Sequence, residues 1–138
     1  MLRNRGSSLI ECLVAMAVFA IGSAANATWM MQSMATHARA SRLVAAVSIA
    51  ASLEARMRRN RDAALAGRYD DGASARLIDC AAGCDEDDIA ALDLHVFERA
   101  MAMHIGPVAS GDVRCDEGLC AIDIAWRERT IVHWRFRP

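Results

Sequence analysis

The sequence predicts an α+β chain. A long N-terminal α-helix, membrane-length and then amphipathic, packs on a small head holding a second helix and an antiparallel β-meander. Three observations carry that expectation. After Glu11 the next formally charged residue is Arg39, and the stretch to about Met34 is apolar. From Gln32 to Arg61 there is neither proline nor glycine. Beyond Gly106-Pro107 apolar and polar residues alternate, split by two turn sequences.

Composition bounds what this fold can do. At 138 residues the chain is one domain plus at most one appended element. All 16 basic residues are arginine and the formal net charge is −1. That balance argues against a general nucleic-acid binder.

The first helix begins at the apolar stretch. Leu9–Met34 is rich in Ala, Leu, Val, Met and Ile, and is long enough to span a bilayer, which takes about 20 residues. Gly22, Ser23, Asn26 and Thr28 make its second half less apolar. Arg3 and Arg5 precede it and place the N-terminus on the cytoplasmic side. A cleavable secretory signal is the alternative, with Ala25-Asn26-Ala27 as its cutting site. The helix continues through Gln32–Arg61, where strong helix formers dominate. Leu43, Val44, Val47, Ala50, Ala51, Leu53 and Met57 form its expected apolar stripe. One continuous helix of about 50 residues is the simplest account.

The run from Asn60 to Ser74 reads as a loop. A second helix starts near Asp85, because Asp85, Glu86, Asp87 and Asp88 crowd its first turn, where the helix dipole favours negative charge. The acidic run lacks the D-x-D-x-D-G pattern of a calcium loop, so capping is the expectation. Ile89, Leu92, Val96, Ala100 and Met103 mark the expected inner face, and Gly106-Pro107 ends the helix. Val113 and Cys115 then face Cys120, Ile122, Ile124 and Trp126 across a turn at Asp116-Glu117-Gly118. A second turn at Arg127-Glu128-Arg129 leads to Ile131–Phe136, where Val132, Trp134 and Phe136 share one face.

Five cysteines suit an oxidising compartment. Cys12 lies in the apolar segment and reads as a buried small hydrophobe. Cys80, Cys84, Cys115 and Cys120 allow three connectivities. Local pairing, Cys80 with Cys84 and Cys115 with Cys120, is expected because each pair brackets a short loop. A four-thiolate zinc site is the weaker reading, since such sites more often use C-x2-C spacing.

Gly6-Ser-Ser-Leu-Ile-Glu11-Cys-Leu-Val-Ala-Met-Ala-Val-Phe-Ala-Ile-Gly22 resembles the class III signal of type IV pilins and pseudopilins. It departs from the usual pattern at Ser7, where phenylalanine is commonest, and conservatively at Ser8. Glu54-Ala-Arg-Met-Arg-Arg-Asn-Arg61, the Tyr69 loop, the Cys80/Cys84 pair, the acidic helix start and Ile122-x-Ile124-x-Trp126 resemble PilV-type minor pilins. The resemblance implies a pilin-like α+β fold. It divides the chain into a leader at 1–6, a transmembrane half-helix at 7–34, an amphipathic half-helix at 35–62 and a globular head at 63–138. It implies a prepilin peptidase that cuts between Gly6 and Ser7 and methylates Ser7. It further implies residence in the bacterial inner membrane with a periplasmic head, then entry into a pilus fibre. Other minor pilins, the major pilin and a large tip adhesin are the implied partners, in a tip complex that primes assembly.

The chemistry fits those residues. Gly6 gives a bond a peptidase can hold extended. Cleavage leaves Ser7 with an ammonium, about one helical turn from Glu11. Between packed helices, the glutamate of one subunit and the terminal amine of a neighbour offset each other's burial and set register. Gly22 and Asn26 serve either local melting or close helix contact. Arg56–Arg61 reads as a helix C-terminus rather than a phosphate site. The four histidines show no ligand spacing, the methionines read as lipid-facing or core residues, and no catalytic constellation, metal site or cofactor is expected. A type II secretion minor pseudopilin shares every N-terminal feature. A signal-anchored periplasmic disulfide or metal-binding protein is the alternative of another class.

Overall fold

The structure is a computed structural model that describes residues 9–70 and 75–138. The chain divides into two compact units, Met1–Arg39 and Ala40–Pro138. Helix α1, Leu9–Arg59, runs for 51 residues and belongs to both.

Within the first unit α1 is long and apolar enough to cross a membrane, and its most hydropathic window has no residue buried against the rest of the chain. The helix continues unbroken through Gly22 and Asn26. Thr28 and Thr36 return their hydroxyls to the carbonyls of Ala24 (3.0 Å) and Gln32 (2.9 Å). The Thr28 bond satisfies a polar group in the apolar stretch, where lipid would offer no partner.

In the second unit α1 buries Ala46, Ile49, Ala50, Leu53 and Met57. The expected stripe is corrected here: Leu43, Val44, Val47 and Ala51 face outward. The inward face is centred on Ala46 and Ala50, both fully buried, whose small side chains let the head approach closely. α1 ends at Arg59. A short helix follows where a loop was expected, α2 at Arg61–Leu65.

A 3₁₀ turn at Cys80–Ala82 precedes α3, Glu86–His104. Asp85 is its N-cap and accepts from the Asp88 N–H at 2.8 Å, so the acidic run is a capped helix start. The buried face of α3 carries Ala90, Ala91, Asp93, Leu94, Phe97 and Met101. That is about one residue round from the expected face. Ile89, Val96 and Met103 are exposed because the sheet and α1 pack on the Leu94–Phe97–Met101 side.

Strands β1 (Ala109–Asp116), β2 (Leu119–Trp126) and β3 (Arg129–Phe136) form an antiparallel sheet in the order β1-β2-β3. Val113 pairs with Ile122 and Cys115 with Cys120, and Ile124 faces Val132 beside an irregularity at Ile124/Ala125. Both hairpins turn on two residues with positive φ: Glu117 and Gly118, then Arg127 and Glu128. Such turns match the twist of the strands, though non-glycine residues adopt them at a cost. Cys120, Ile122 and Ile124 alternate inward on β2 and are fully buried. They meet Leu53, Met57, Phe97 and Met101 in one core. A long apolar N-terminal helix, a further helix and a three-stranded antiparallel sheet make the pilin-like α+β fold.

Candidate functional site

The processing residues Gly6 and Ser7 lie outside the described residues. Glu11 stands in the first turn of α1 as described, the end at which a helix favours negative charge. Cys12, beside it, is exposed on α1 rather than buried.

In the second unit the cysteines form Cys80–Cys84 and Cys115–Cys120 bonds. The first closes the exposed turn before α3. The second joins directly opposed residues of the β1–β2 hairpin, with Cys120 in the core. Both bonds occupy thiols that a metal site would need as thiolates.

The densest polar arrangement is a buried network that the sequence does not announce. Asp93 of α3 is 5% exposed and accepts from Arg56 Nη1 and from the Tyr69 hydroxyl, each at 2.9 Å. Asn60 Nδ2 donates to the Tyr69 oxygen at 3.2 Å and to the Glu86 carbonyl at 2.9 Å. Burial above all pushes the Tyr69 phenol upward; the Asn60 amide opposes this, the Asp93 carboxylate adds to it, and the Arg56 guanidinium lowers it a little. Asp70 completes the anchor by accepting from the Cys115 N–H at 2.8 Å. The turn after α2 is thereby tied to α3 through Tyr69 and to β1 through Asp70. No buried side-chain nitrogen or oxygen among the described residues lacks a partner.

The Arg56–Arg61 cluster is largely engaged within the head. Arg56 binds Asp93, Arg58 pairs with Glu54 at 2.7 Å, and Arg61 Nε donates to the Pro138 carbonyl at 3.1 Å. Glu54 also accepts from Trp134 Nε1 at 2.7 Å, latching α1 to β3. His133 pairs with Asp123 across the β2–β3 ladder. A groove of ≈ 200 Å³ between α1 and α3 is lined by Ser52, Arg56, Asp93 and His104 among others. Asp93 and His104 are about 16 Å apart along α3, too far for an acid–base pair. The missed signal for the network was a carboxylate, Asp93, set between Leu92 and Leu94 within the apolar pattern of α3, where a buried charge demands a partner.

The family model described as the prokaryotic N-terminal methylation motif matches residues 1–25. The chain carries a prokaryotic N-terminal methylation motif. No curated protein and no solved structure matches the chain. The motif supports a type IV pilin-like protein, of a pilus or a pseudopilus, and points to a structural role. It implies processing by prepilin peptidase and assembly with other pilins. Together with the apolar half of α1 it fits anchoring in the inner membrane and then incorporation in a fibre.

Proposed function

We propose that the chain is a minor pilin of the PilV type, a structural subunit of the tip complex that primes assembly of a bacterial type IV pilus. The observation that supports this best is continuity. A methylation motif at residues 1–25 runs on into a 51-residue helix whose distal half carries a small, twice disulfide-linked head. Prepilin peptidase cuts between Gly6 and Ser7. The mature helix, with the segment 7–34 in lipid, holds the subunit in the inner membrane with its head in the periplasm. On assembly, Glu11 meets the Ser7 amine of a neighbouring subunit between packed helices, where a slip in register leaves two charges unpaired. Other minor pilins, the major pilin and a large tip adhesin are the partners, and twitching and adhesion are the outputs.

The test is the intact mass and N-terminal sequence of the protein from cells with and without prepilin peptidase. A peptidase-dependent start at Ser7 supports the reading. A start at Met1 in both strains, or a cut after Ala27, returns the chain to the anchored or secreted class. A minor pseudopilin of a type II secretion system is the second reading, because the motif is common to both machines. Recovery of the subunit in sheared pili, with secretion intact in its absence, separates the two.

A further inference from the structure

Trp126 ends β2, and two guanidinium groups lie over its ring: Arg42 of α1 at 4.2 Å and Arg127 at 4.6 Å from the centroid. Arg129 stands opposite Trp126 across the hairpin. None of these three arginines has a carboxylate partner among the described residues. Arg56, Arg58 and Arg68 of the same unit do pair with carboxylates, those of Asp93, Glu54 and Asp87. The two guanidinium groups over one indole repel one another, with Arg129 adding a third positive charge on the paired strand, and ring contacts offset that only in part. The cluster is complementary to an anion. The same end of the head exposes apolar surface. Leu43, next to Arg42, is 48% exposed, and Val108, which precedes the Ala109–Trp126 pair, is 56% exposed. Cations, an indole and apolar side chains together are the composition of a membrane interface.

The covalent path along the chain indicates which anion lies within reach. Arg42 follows Met34, the end of the apolar stretch, by eight residues of α1. Those residues span about 12 Å at most. The headgroup layer on each side of a bilayer is roughly 5–8 Å deep, and an arginine side chain reaches several Å further. We infer that Arg42, Trp126, Arg127 and Arg129 form a site for the phosphates of anionic phospholipid headgroups, holding the head on the membrane surface until the subunit leaves for a fibre. The inference rests on the reading that the segment 7–34 spans the membrane.

The experiment is hydrogen exchange on the full chain in nanodiscs of phosphatidylcholine alone or of a phosphatidylglycerol-rich mixture. Amides of residues 125–131 should exchange more slowly in the anionic discs by about fivefold or more, the factor one arginine near an anionic surface supplies. The variant R42E/R127E/R129E should lose that difference while the amides of Ile122 and Ile124 keep their protection, which shows the head still folded. Equal exchange in both lipids, or a difference that survives in the variant, overturns the inference. Protection that arises only when a partner subunit is added also overturns it, in favour of a protein interface. Exchange within residues 9–34 is read in the same data. Open exchange there defeats the membrane reading itself. Full protection there with an unresponsive turn defeats the lipid site alone.

Discussion

Tyr69 is the chain's single tyrosine, and its hydroxyl is held between Asn60 and Asp93 in a site 1% exposed. Its phenol is raised above the ordinary value, chiefly by burial. The raised group keeps its proton in the folded state when the unfolded chain has already lost it. Its stabilising contribution is therefore complete below pH 10.0, the ordinary value, and falls as pH climbs beyond it. The chain has no lysine, so few other side chains titrate in that range. Stability should decline between about pH 10 and 11 by up to roughly 1.4 kcal/mol per pH unit. Tyr69→Phe should flatten that slope and cost about 1 kcal/mol at neutral pH. Denaturant midpoints across the range check both; an unchanged alkaline slope in the variant sinks the assignment. Asp93 is the partner whose loss should hurt more. Asp93→Ala leaves Arg56, about a third of its side chain exposed, and the Tyr69 hydroxyl without an acceptor, and should cost about 2–3 kcal/mol. A urea midpoint within error of the parent would show that water replaces the carboxylate freely.

Gly111 shows how two elements approach. A Cβ built there would overlap the Phe97 ring of α3 and lie 2.7 Å from Met101 Cε. β1 lies against α3 at this point because glycine has no side chain to hold them apart. Gly111→Ala should destabilise the head by about 1–3 kcal/mol, as overpacking does, and Phe97→Leu in the same chain should recover part of the loss. Thermal melting of the single and double variants decides; no loss in the single variant means that the core yields. Such contacts also explain what could be read from the sequence. The start of α3 at Asp85, both hairpin turns and the inward set Val132 and Phe136 are dictated by neighbours in sequence, and local rules found them. The inward faces of α1 and α3 are chosen by partners far along the chain. Ala50 belongs to the expected stripe and is buried, but Ala46 lies outside it while bulkier Leu43 and Val47 lie within it, because close approach rewards small residues and size alone suggests the reverse. The Arg56–Asp93 pair spans 37 positions, and no local pattern links its members. Of the candidate site, the methylation motif within residues 1–25 is legible because it is contiguous. The Tyr69 network was not, because four separate segments supply it.

At the scale of the whole subunit, two demands meet on one helix. On the proposed reading its segment 7–34 must be stable in lipid and later against other helices; the described part of that segment exposes Leu13, Phe19, Trp29 and other apolar side chains, and Thr28 keeps its hydroxyl bonded within the helix. Its second unit must hold a head with a limited core, and there disulfides and the Asp93 network supplement apolar burial. Glu11 is the residue in which the first demand is broken, and the proposed assembly role gives the reason. If it faces the Ser7 amine of a neighbour, Glu11→Ala leaves that ammonium unpaired in a low-dielectric interface, which costs several kcal/mol. Removing the carboxylate does not weaken insertion, since it makes the helix more apolar. The expected outcome is normal amounts of cleaved protein in the inner membrane with at least about a tenfold fall in the sheared-pilus fraction, since each tenfold corresponds to only 1.4 kcal/mol. Glu11→Gln separates charge from hydrogen bonding. It keeps the size and an acceptor, and should be nearly as defective as alanine if charge pairing sets the register. Glutamine at parental levels in the fibre would leave hydrogen bonding as sufficient. Alanine at parental levels would remove Glu11 from assembly altogether, and its place near the end of an apolar helix would need another cause.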